Sequence, residues 1–278
     1  MAWRGNLALD YRRSGDRTVV HDRHDGPLRV LKSLYPEAPE AGICHSVLVH
    51  PPGGLVGGDE LHIDVELGEG AHALVTTPGA TRFYRSLGAA ATQALVVKAA
   101  AGSRLEWLPL ESIAYSGCIG ENRMRFELAP SAETIGWDVL ALGLPAAELP
   151  FVRGSFTQAI ELPGRWLERG TLRAEDARLL DSPLGFAGRR VLATLWFAAG
   201  SPLGEPRRDA LLEAARACTI GDALATASGA TSPRPEVVVL RVLADRVEPA
   251  MALLVRAWQA WRLEAWSLAA SPPRVWRT

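Results

Sequence analysis

The sequence predicts a mainly β protein of stacked sheets, with two α-helices in its C-terminal third. From residue 17 to about residue 200, apolar and polar residues alternate with a period of two, as in strands that bury one face. A turn of small residues followed by an apolar strand recurs at Gly70, Gly102 and Ser131, at intervals of 32 and 29 residues. A repeat of this length favours stacked layers with β-helix-like character, and an ordinary β-sandwich is the alternative.

The clearest strands are residues 61–67 and 123–128, where apolar side chains alternate strictly with charged or polar ones. Further strands are predicted at residues 18–21, 27–34, 43–49, 71–76, 93–98, 104–108, 134–140, 156–162, 166–172, 191–197 and 237–243. They form a β-rich body over residues 17–200 and 236–243, within one domain that spans residues 1–278.

Helices are predicted at residues 206–218 and 247–266. The first starts at a proline, which a helix tolerates in its first turn. The second carries one narrow apolar stripe that packs on the β body or forms a seam with a partner protein. In the seam interpretation, Trp258 and Trp261 are exposed partner-binding residues, and the chain is poorly soluble alone. Residues 228–235, rich in small residues and proline, are predicted to form a mobile loop.

The segment HPPGGLVGGD at residues 50–59 lies between two predicted strands. Proline fixes the backbone φ angle and glycine permits positive values, so this loop has a specified shape. Such a loop indicates the close approach of another backbone, a ligand or a partner.

This loop resembles the HPPGGxVGGD signature of the UreD/UreH family of urease accessory proteins. Other matching segments occur in the family's order: GPL at 26–28, LYPE at 34–37, CH at 44–45, TPGAT at 77–81, FYRS at 83–86, LEWLP at 105–109, GWD at 136–138, LGLPA at 142–146 and PRVWRT at 273–278. The resemblance implies a predominantly β fold with helix-like stacking of strands and two helices near the C-terminus.

Composition excludes several classes of function. A net charge of −1 gives no general attraction for nucleic acid or anionic lipid. Three cysteines are too few for a disulfide framework, and neither a signal peptide nor a membrane-spanning segment is apparent, so we expect a cytoplasmic protein. Tyr84 and Arg85 form a cationic and aromatic patch, for which a partner or core role is favoured over base stacking.

The chain contains no Walker loop, HExxH, CxxC or Gly-x-Ser-x-Gly motif, which argues against a familiar enzyme site. Its six histidines all lie within the first 72 residues. Cys44 and His45 point to opposite faces of a strand, whereas His62 and Asp64 share a face and could bind one ion. No closed set of four ligands is apparent, so any metal site is expected to be weak and exchangeable.

The resemblance implies a protein without catalytic residues that acts with UreF and the GTPase UreG, in a 2:2:2 accessory complex, on the urease apoprotein. Nickel is then a transient cargo and no cofactor is tightly bound. Asp59, Thr81, Asp138 and Glu168 match the family positions associated with a polar nickel tunnel. The alternatives are a scaffold that holds urease open without conducting metal, and an enzyme that uses Asp59 and Asp138 as a carboxylate pair.

Physical chemistry leaves the roles of these acids open. Asp138 and Glu168 each lie in an otherwise apolar strand, where a buried carboxylate must be paired, hydrated or bound to metal. Either residue could therefore bind an arginine in the core or line a hydrated passage.

Overall fold

The computed structural model describes residues 2–38 and 41–277 of the chain. Its strands are β1 (Arg4–Ser14), β2 (Arg17–Asp25), β3 (Arg29–Leu34), β4 (Cys44–Val49), β5 (Glu60–Leu67), β6 (His72–Thr76), β7 (Thr81–Phe83), β8 (Ala91–Ala99), β9 (Arg104–Leu108), β10 (Ser112–Ala114), β11 (Ile119–Leu128), β12 (Glu133–Leu144), β13 (Leu149–Pro150), β14 (Ser155–Leu162), β15 (Trp166–Arg173), β16 (Val191–Ala199), β17 (Ser228–Arg234) and β18 (Val237–Ala244). Its helices are α1 (Ala177–Asp181), α2 (Glu205–Thr219) and α3 (Val247–Trp266), with short 3₁₀ turns at Pro145–Ala147, Ala225–Ala227 and Arg274–Arg277.

The strands form two large sheets. The first has the order β15-β14-β11-β8-β5-β1-β2, and the second has β17-β18-β16-β12-β9-β6-β4-β3, with β7, β10 and β13 attached near β12. From β4 to β14 the chain alternates between the sheets, and each long strand lies parallel to the preceding one in its own sheet. This winding confirms the predicted stacked, β-helix-like architecture.

The predicted repeat corresponds to the turns between the two sheets. Gly70, Gly102 and Ser131 all have positive φ, and the amide of Gly102 donates to Oγ of Ser131 in the next layer at 3.0 Å. Val75 pairs with Trp107, but Trp107 pairs with Gly136. Trp137 is therefore one residue beyond the position that pairs with Trp107, and it faces the opposite side of the second sheet because strand side chains alternate.

Two apolar cores result from this layering. The first lies between the sheets and contains alternating positions of β5 such as Leu61 and Ile63, together with Trp107 and Trp196. The second lies between the second sheet and helices α2 and α3, and contains Trp137. The structure is therefore a three-layer stack of sheet, sheet and helices.

Helix α3 occupies the predicted bounds, and α2 extends one residue further than predicted at each end. Strand β1 is not predicted by the sequence, although its inward residues Leu7, Leu9 and Tyr11 are buried, because glycine and alanine interrupt the apolar signal. The prediction of a mobile loop at residues 228–235 is wrong. Backbone pairing with the apolar strand β18 makes this polar segment the edge strand β17.

Among the described residues, no helix has the length and apolar character needed to cross a bilayer. The longest described helix, α3, has 20 residues, and it faces the second sheet with one side.

Candidate functional site

Asp138 is a carboxylate buried between the two sheets. It lies on β12, where it pairs with Thr194 of the neighbouring strand β16. Thr194 in turn pairs with Arg241 of β18. Its Oδ2 accepts a hydrogen bond from Nε2 of Gln158 at 2.6 Å, and its Oδ1 accepts one from Nδ2 of Asn122 at 3.3 Å. Its hydrogen-bond donors are thus side-chain amides of the opposite sheet, and neither donor carries a positive charge.

The amides come from one row of the first sheet. Gln93, Asn122 and Gln158 are register partners on the adjacent parallel strands β8, β11 and β14, so their side chains point to the same face. Nε2 of Gln93 donates to Oδ1 of Asn122 at 3.3 Å. We call the four residues Gln93, Asn122, Asp138 and Gln158 the inter-sheet polar line.

Burial changes the acidity of Asp138. Its pKa is raised from 3.8 to about 6, chiefly because burial removes the carboxylate from water; the hydrogen bonds from Gln158 and Asn122 oppose this rise, and the nearby charge of Glu168 adds to it. Near neutral pH the carboxylate is mostly ionised, so a negative charge is held in the interior with amide dipoles as its first partners.

Glu168 lies beyond Gln158, where the edges of the two sheets meet. Its carboxylate binds Arg241 through two contacts, one of them between Oε1 and Nε at 3.0 Å. Both side chains keep partial contact with solvent. The sequence left two roles open for each acid, which were pairing with an arginine and lining a hydrated passage. Glu168 is paired with an arginine, whereas Asp138 is not.

Asp59 closes the glycine-rich loop. Its Oδ2 accepts from the backbone amide of Val56 at 2.9 Å, and its Oδ1 accepts from that of Trp3 at 2.8 Å. The carboxylate is buried, and each of its oxygens has a backbone donor. The loop therefore uses Asp59 as a structural cap, which places this acid in a different setting from the amide-bound Asp138.

The loop needs its glycines because other backbone segments lie close to it. A Cβ atom at Gly54 would lie 2.8 Å from the carbonyl oxygen of Arg82 and closer still to the Tyr84 ring. The amide of Leu55 donates to that same carbonyl at 2.7 Å, and the amide of Tyr84 donates to the carbonyl of Leu55 at 2.8 Å. The prediction of close backbone approach is confirmed.

Thr81 borders a cavity of ≈ 180 Å³ beside this loop, which His50, Gly54, Gln93 and Trp107 also line. Burial lowers the pKa of His50, although the charge of Asp59 opposes this shift, so its imidazole is neutral near pH 7. Gln93 belongs both to the cavity wall and to the inter-sheet polar line. The cavity therefore reaches the inter-sheet polar line at Gln93.

A sequence model of the family described as UreD urease accessory protein matches residues 4–277. The chain belongs to the UreD family of urease accessory proteins. It is 60% identical to a "Urease accessory protein UreD" of Leptothrix cholodnii and 59% identical to that of Variovorax paradoxus, over the whole of each pair of chains. It is 60% identical to that of Paracidovorax citrulli, with 99% of each chain covered.

In this UreD-family chain, the four residues implied to carry metal do not form one site. Asp138 and Glu168 are close enough for their charges to interact, Thr81 lies on the cavity wall, and Asp59 lies in the loop cap. Within residues 2–38 and 41–277, no group of three or more His, Cys, Asp or Glu side chains is arranged to hold a metal ion. These four side chains are therefore not arranged to bind one ion together.

Two of the residues expected to contact partners are buried. Trp258 and Trp261 are fully buried in the core beneath α3, so the expectation that they are exposed is wrong. The apolar stripe packs on the second sheet, which removes the reason to expect poor solubility from it. Tyr84 is partly buried against Tyr115, with ring centroids 4.9 Å apart, and Arg85 is exposed.

Sequence reasoning missed a buried charged network beneath α3. Glu106 accepts from Nε1 of Trp258 at 2.6 Å, bonds Nε2 of His72 at 2.9 Å, and lies 3.5 Å from Nε of Arg262. Arg262 also donates to Glu37 at 2.7 Å. Burial lowers the pKa of His72, although its hydrogen bond to Glu106 opposes this, so the imidazole is neutral and donates to the carboxylate.

A signal for this network was available in the sequence. A buried tryptophan needs an acceptor for its indole N–H, and the helical stripe contained several tryptophans. Trp266 follows the same rule, because its Nε1 donates to Glu133 at 2.6 Å. The network fixes α3 on the second sheet, and Arg262 is shared between the carboxylates of Glu106 and Glu37.

Proposed function

We propose that this chain assists urease maturation as a non-enzymatic nickel-insertion chaperone, in a complex with UreF and the GTPase UreG that binds the urease apoprotein. Nickel is its transient cargo, and we propose that the ion passes between the two sheets. One observation carries this proposal: a buried carboxylate, Asp138, that is held by neutral amides and connects through them to a cavity.

The physical argument concerns the cost of an isolated buried charge. A carboxylate removed from water is unfavourable unless it is paired, hydrated or bound to a cation. Asp138 has only neutral amide donors as partners. The negative charge of Glu168 nearby disfavours the ionised form of Asp138. A passing divalent cation would relieve this repulsion, so the interior favours a cation without holding it in a closed set of ligands.

The path of the ion follows the polar groups in order. It starts at the cavity with Thr81 and Gln93, continues past Asn122 and Asp138, and ends near Glu168 at the sheet edge. Carboxylate, amide and hydroxyl oxygens exchange metal more readily than a thiolate cage, which suits transfer over storage.

Partner proteins would meet the loops at the cavity end. Arg85 and Leu87 are exposed there, and Tyr84 lies at their base beside the glycine-rich loop. We propose that this surface, and not the buried Trp258 and Trp261, contacts a member of the 2:2:2 complex. The three cysteines are free thiols, as is usual in a reducing cytoplasm, and we propose that the protein acts there.

The alternative is a scaffold that holds urease open without conducting metal. The ion pair between Glu168 and Arg241 and the structural cap made by Asp59 favour it, since both acids already have partners. An enzyme that uses Asp59 with Asp138 has no such support, because the oxygens of Asp59 accept from backbone amides.

The experiment measures urease nickel content and activity after co-expression with Asp138→Leu, with complex assembly followed by pull-down of UreF. Asp209→Asn, which changes an exposed acid on helix α2, is the matched control. We expect Asp138→Leu to assemble normally and to reduce the nickel content of urease, while Asp209→Asn changes neither. Normal nickel loading by an assembled Asp138→Leu complex would favour the scaffold.

A further inference from the structure

We propose that a cavity at the turn end of the second sheet binds a phosphate-sized oxyanion. The cavity has a volume of ≈ 470 Å³ and lies where β9 and β12 begin, β16 ends and α2 starts. Its polar side chains are two arginines, one carboxylate and two serines, namely Arg104, Arg207, Glu133, Ser131 and Ser201. None of these five belongs to the inter-sheet polar line or lines the cavity beside the glycine-rich loop, so the inference does not depend on the proposed function.

Arg104 is a partly buried cation at the wall of this cavity. Its guanidinium lies over the ring of Trp266, 5.3 Å from the ring centroid, and within residues 2–38 and 41–277 it has neither a hydrogen bond nor an ion pair. Burial lowers the pKa of Arg104, and the charge of Glu133 opposes this shift, but arginine stays protonated in proteins. Because an unpaired charge is unfavourable when it is removed from water, this position favours an anion.

Glu133 is not a direct partner for Arg104, because both of its oxygens already accept from other groups. They accept two hydrogen bonds from Arg207, one of them between Oε2 and Nη2 at 3.1 Å, and Oε2 also accepts from Nε1 of Trp266 at 2.6 Å. The two guanidinium groups at the wall are therefore matched by one carboxylate. One positive charge is left for a ligand that enters from solvent.

Two hydroxyl groups add hydrogen-bond donors to this charge. Oγ of Ser131 accepts from the Gly102 amide at 3.0 Å, so its own O–H is free to donate. Ser201 also lines the cavity and keeps partial contact with solvent. An oxyanion with several oxygens can accept from a guanidinium and from hydroxyls at the same time, and such charge-assisted bonds are stronger than neutral ones.

The shape of the donors selects the class of ligand. A planar guanidinium presents parallel N–H groups that match two oxygens of a phosphate group. A cavity of ≈ 470 Å³ has room for phosphate with some of its water, or for the phosphate end of a larger molecule. With one uncompensated charge in a site open to solvent, binding should be weak and should weaken further with added salt.

Isothermal titration calorimetry of the full-length chain with sodium phosphate at constant ionic strength tests the site. Arg104→Gln removes the unpaired charge and should raise the Kd for phosphate at least about tenfold, as expected for the loss of a hydrogen bond to a charged group. Arg104→Lys keeps the charge without the parallel donors, so it should retain part of the affinity. Arg169→Gln, which changes an exposed arginine on β15, is the matched control and should bind as the wild type does.

A second titration, with ADP in place of phosphate, distinguishes two sources of this chemistry. If ADP binds more tightly than phosphate and loses this affinity in Arg104→Gln, the cavity holds the phosphate end of a nucleotide. If phosphate binds and ADP binds no more tightly, the ligand is free phosphate.

Thermal unfolding identifies any variant that fails to fold, and Arg104→Lys and Ser201→Ala carry the test if Arg104→Gln is lost. Ser201→Ala should raise the Kd about two- to tenfold, the range for one hydroxyl hydrogen bond. Phosphate should also raise the Tm of the wild type by mass action, with a smaller effect on Arg104→Gln. The inference is overturned if the wild type binds no phosphate, or if Arg104→Gln binds it as tightly as the wild type does. The nickel content of urease tests the proposed function in a separate measurement, so the two failures are distinguishable.

Discussion

The indole nitrogen of Trp258 lies 2.6 Å from a carboxylate oxygen of Glu106, and this hydrogen bond joins helix α3 to strand β9 across 152 residues of sequence. The same carboxylate bonds His72 and lies beside Arg262. One buried acid thereby connects two layers of the structure through three different partners.

Glu106→Ala should destabilise the fold by about 3–5 kcal/mol, because it leaves buried partners, including the Arg262 charge, without their acceptor. Urea denaturation measures this change. Glu127→Ala is the control, since Glu127 is paired with Arg125 at the surface and should cost at most about 1 kcal/mol. Equal losses in the two variants would contradict the assigned role of Glu106.

Gly54→Ala should destabilise the glycine-rich loop, with a loss of about 1–3 kcal/mol from overpacking. The added methyl group would press on the Arg82 carbonyl and the Tyr84 ring. Gly79→Ala serves as the control, because a Cβ atom there meets no atom within 4 Å and the backbone does not have positive φ. Hydrogen exchange at the Leu55 and Tyr84 amides reports whether the loop has opened.

Asp138 should give the stability a distinctive pH dependence. Its pKa is about 6 in the folded chain and near 3.8 when exposed, so the folded state binds this proton more tightly than the unfolded chain does. Its contribution should therefore decrease stability by about 3 kcal/mol as pH rises from about 4 to about 6. Asp138→Asn removes the titrating group.

The comparison is made by urea denaturation across this pH range. We expect the Asp138→Asn variant to lack the decrease and to be more stable than the wild type at pH 7, whereas Asp64→Asn should follow the wild-type curve. An unchanged slope in Asp138→Asn would show that the carboxyl group does not have a raised pKa.

The ion pair between Glu168 and Arg241 should contribute little to stability. The two side chains retain 25% and 47% exposure, so solvent screens their attraction. A double-mutant cycle with Glu168→Gln and Arg241→Gln should yield a coupling of at most about 1 kcal/mol. A coupling of several kcal/mol would mean that the pair locks the sheet edges together and that Glu168 is not available to a passing ion.

The alternation in residues 61–67 was sufficient to predict strand β5, because a period of two is a local property of the chain. The apolar stripe of α3 likewise gave its bounds from local spacing. The same reasoning failed for β17, whose residues carry little apolar signal. That strand exists because β18 offers it a row of backbone hydrogen bonds.

The candidate site was predictable in part. The apolar surroundings of Asp138 in its strand drew attention to a buried carboxylate, and the resemblance to a known family added Glu168. Neither could identify Asn122 or Gln158, since polar residues in strands are ordinarily solvent-facing. They contact Asp138 only because the two sheets pack face to face.

The sequence by itself determined the strand period, the layered repeat, the two long helices and the shape of the glycine-rich loop, because each follows from the conformations and spacing of neighbouring residues. Only the tertiary structure decided which acid is paired with arginine and which with amides, and that Trp258 is buried. These outcomes depend on contacts between segments far apart in the chain, where burial and the available partners set the energy of each polar group.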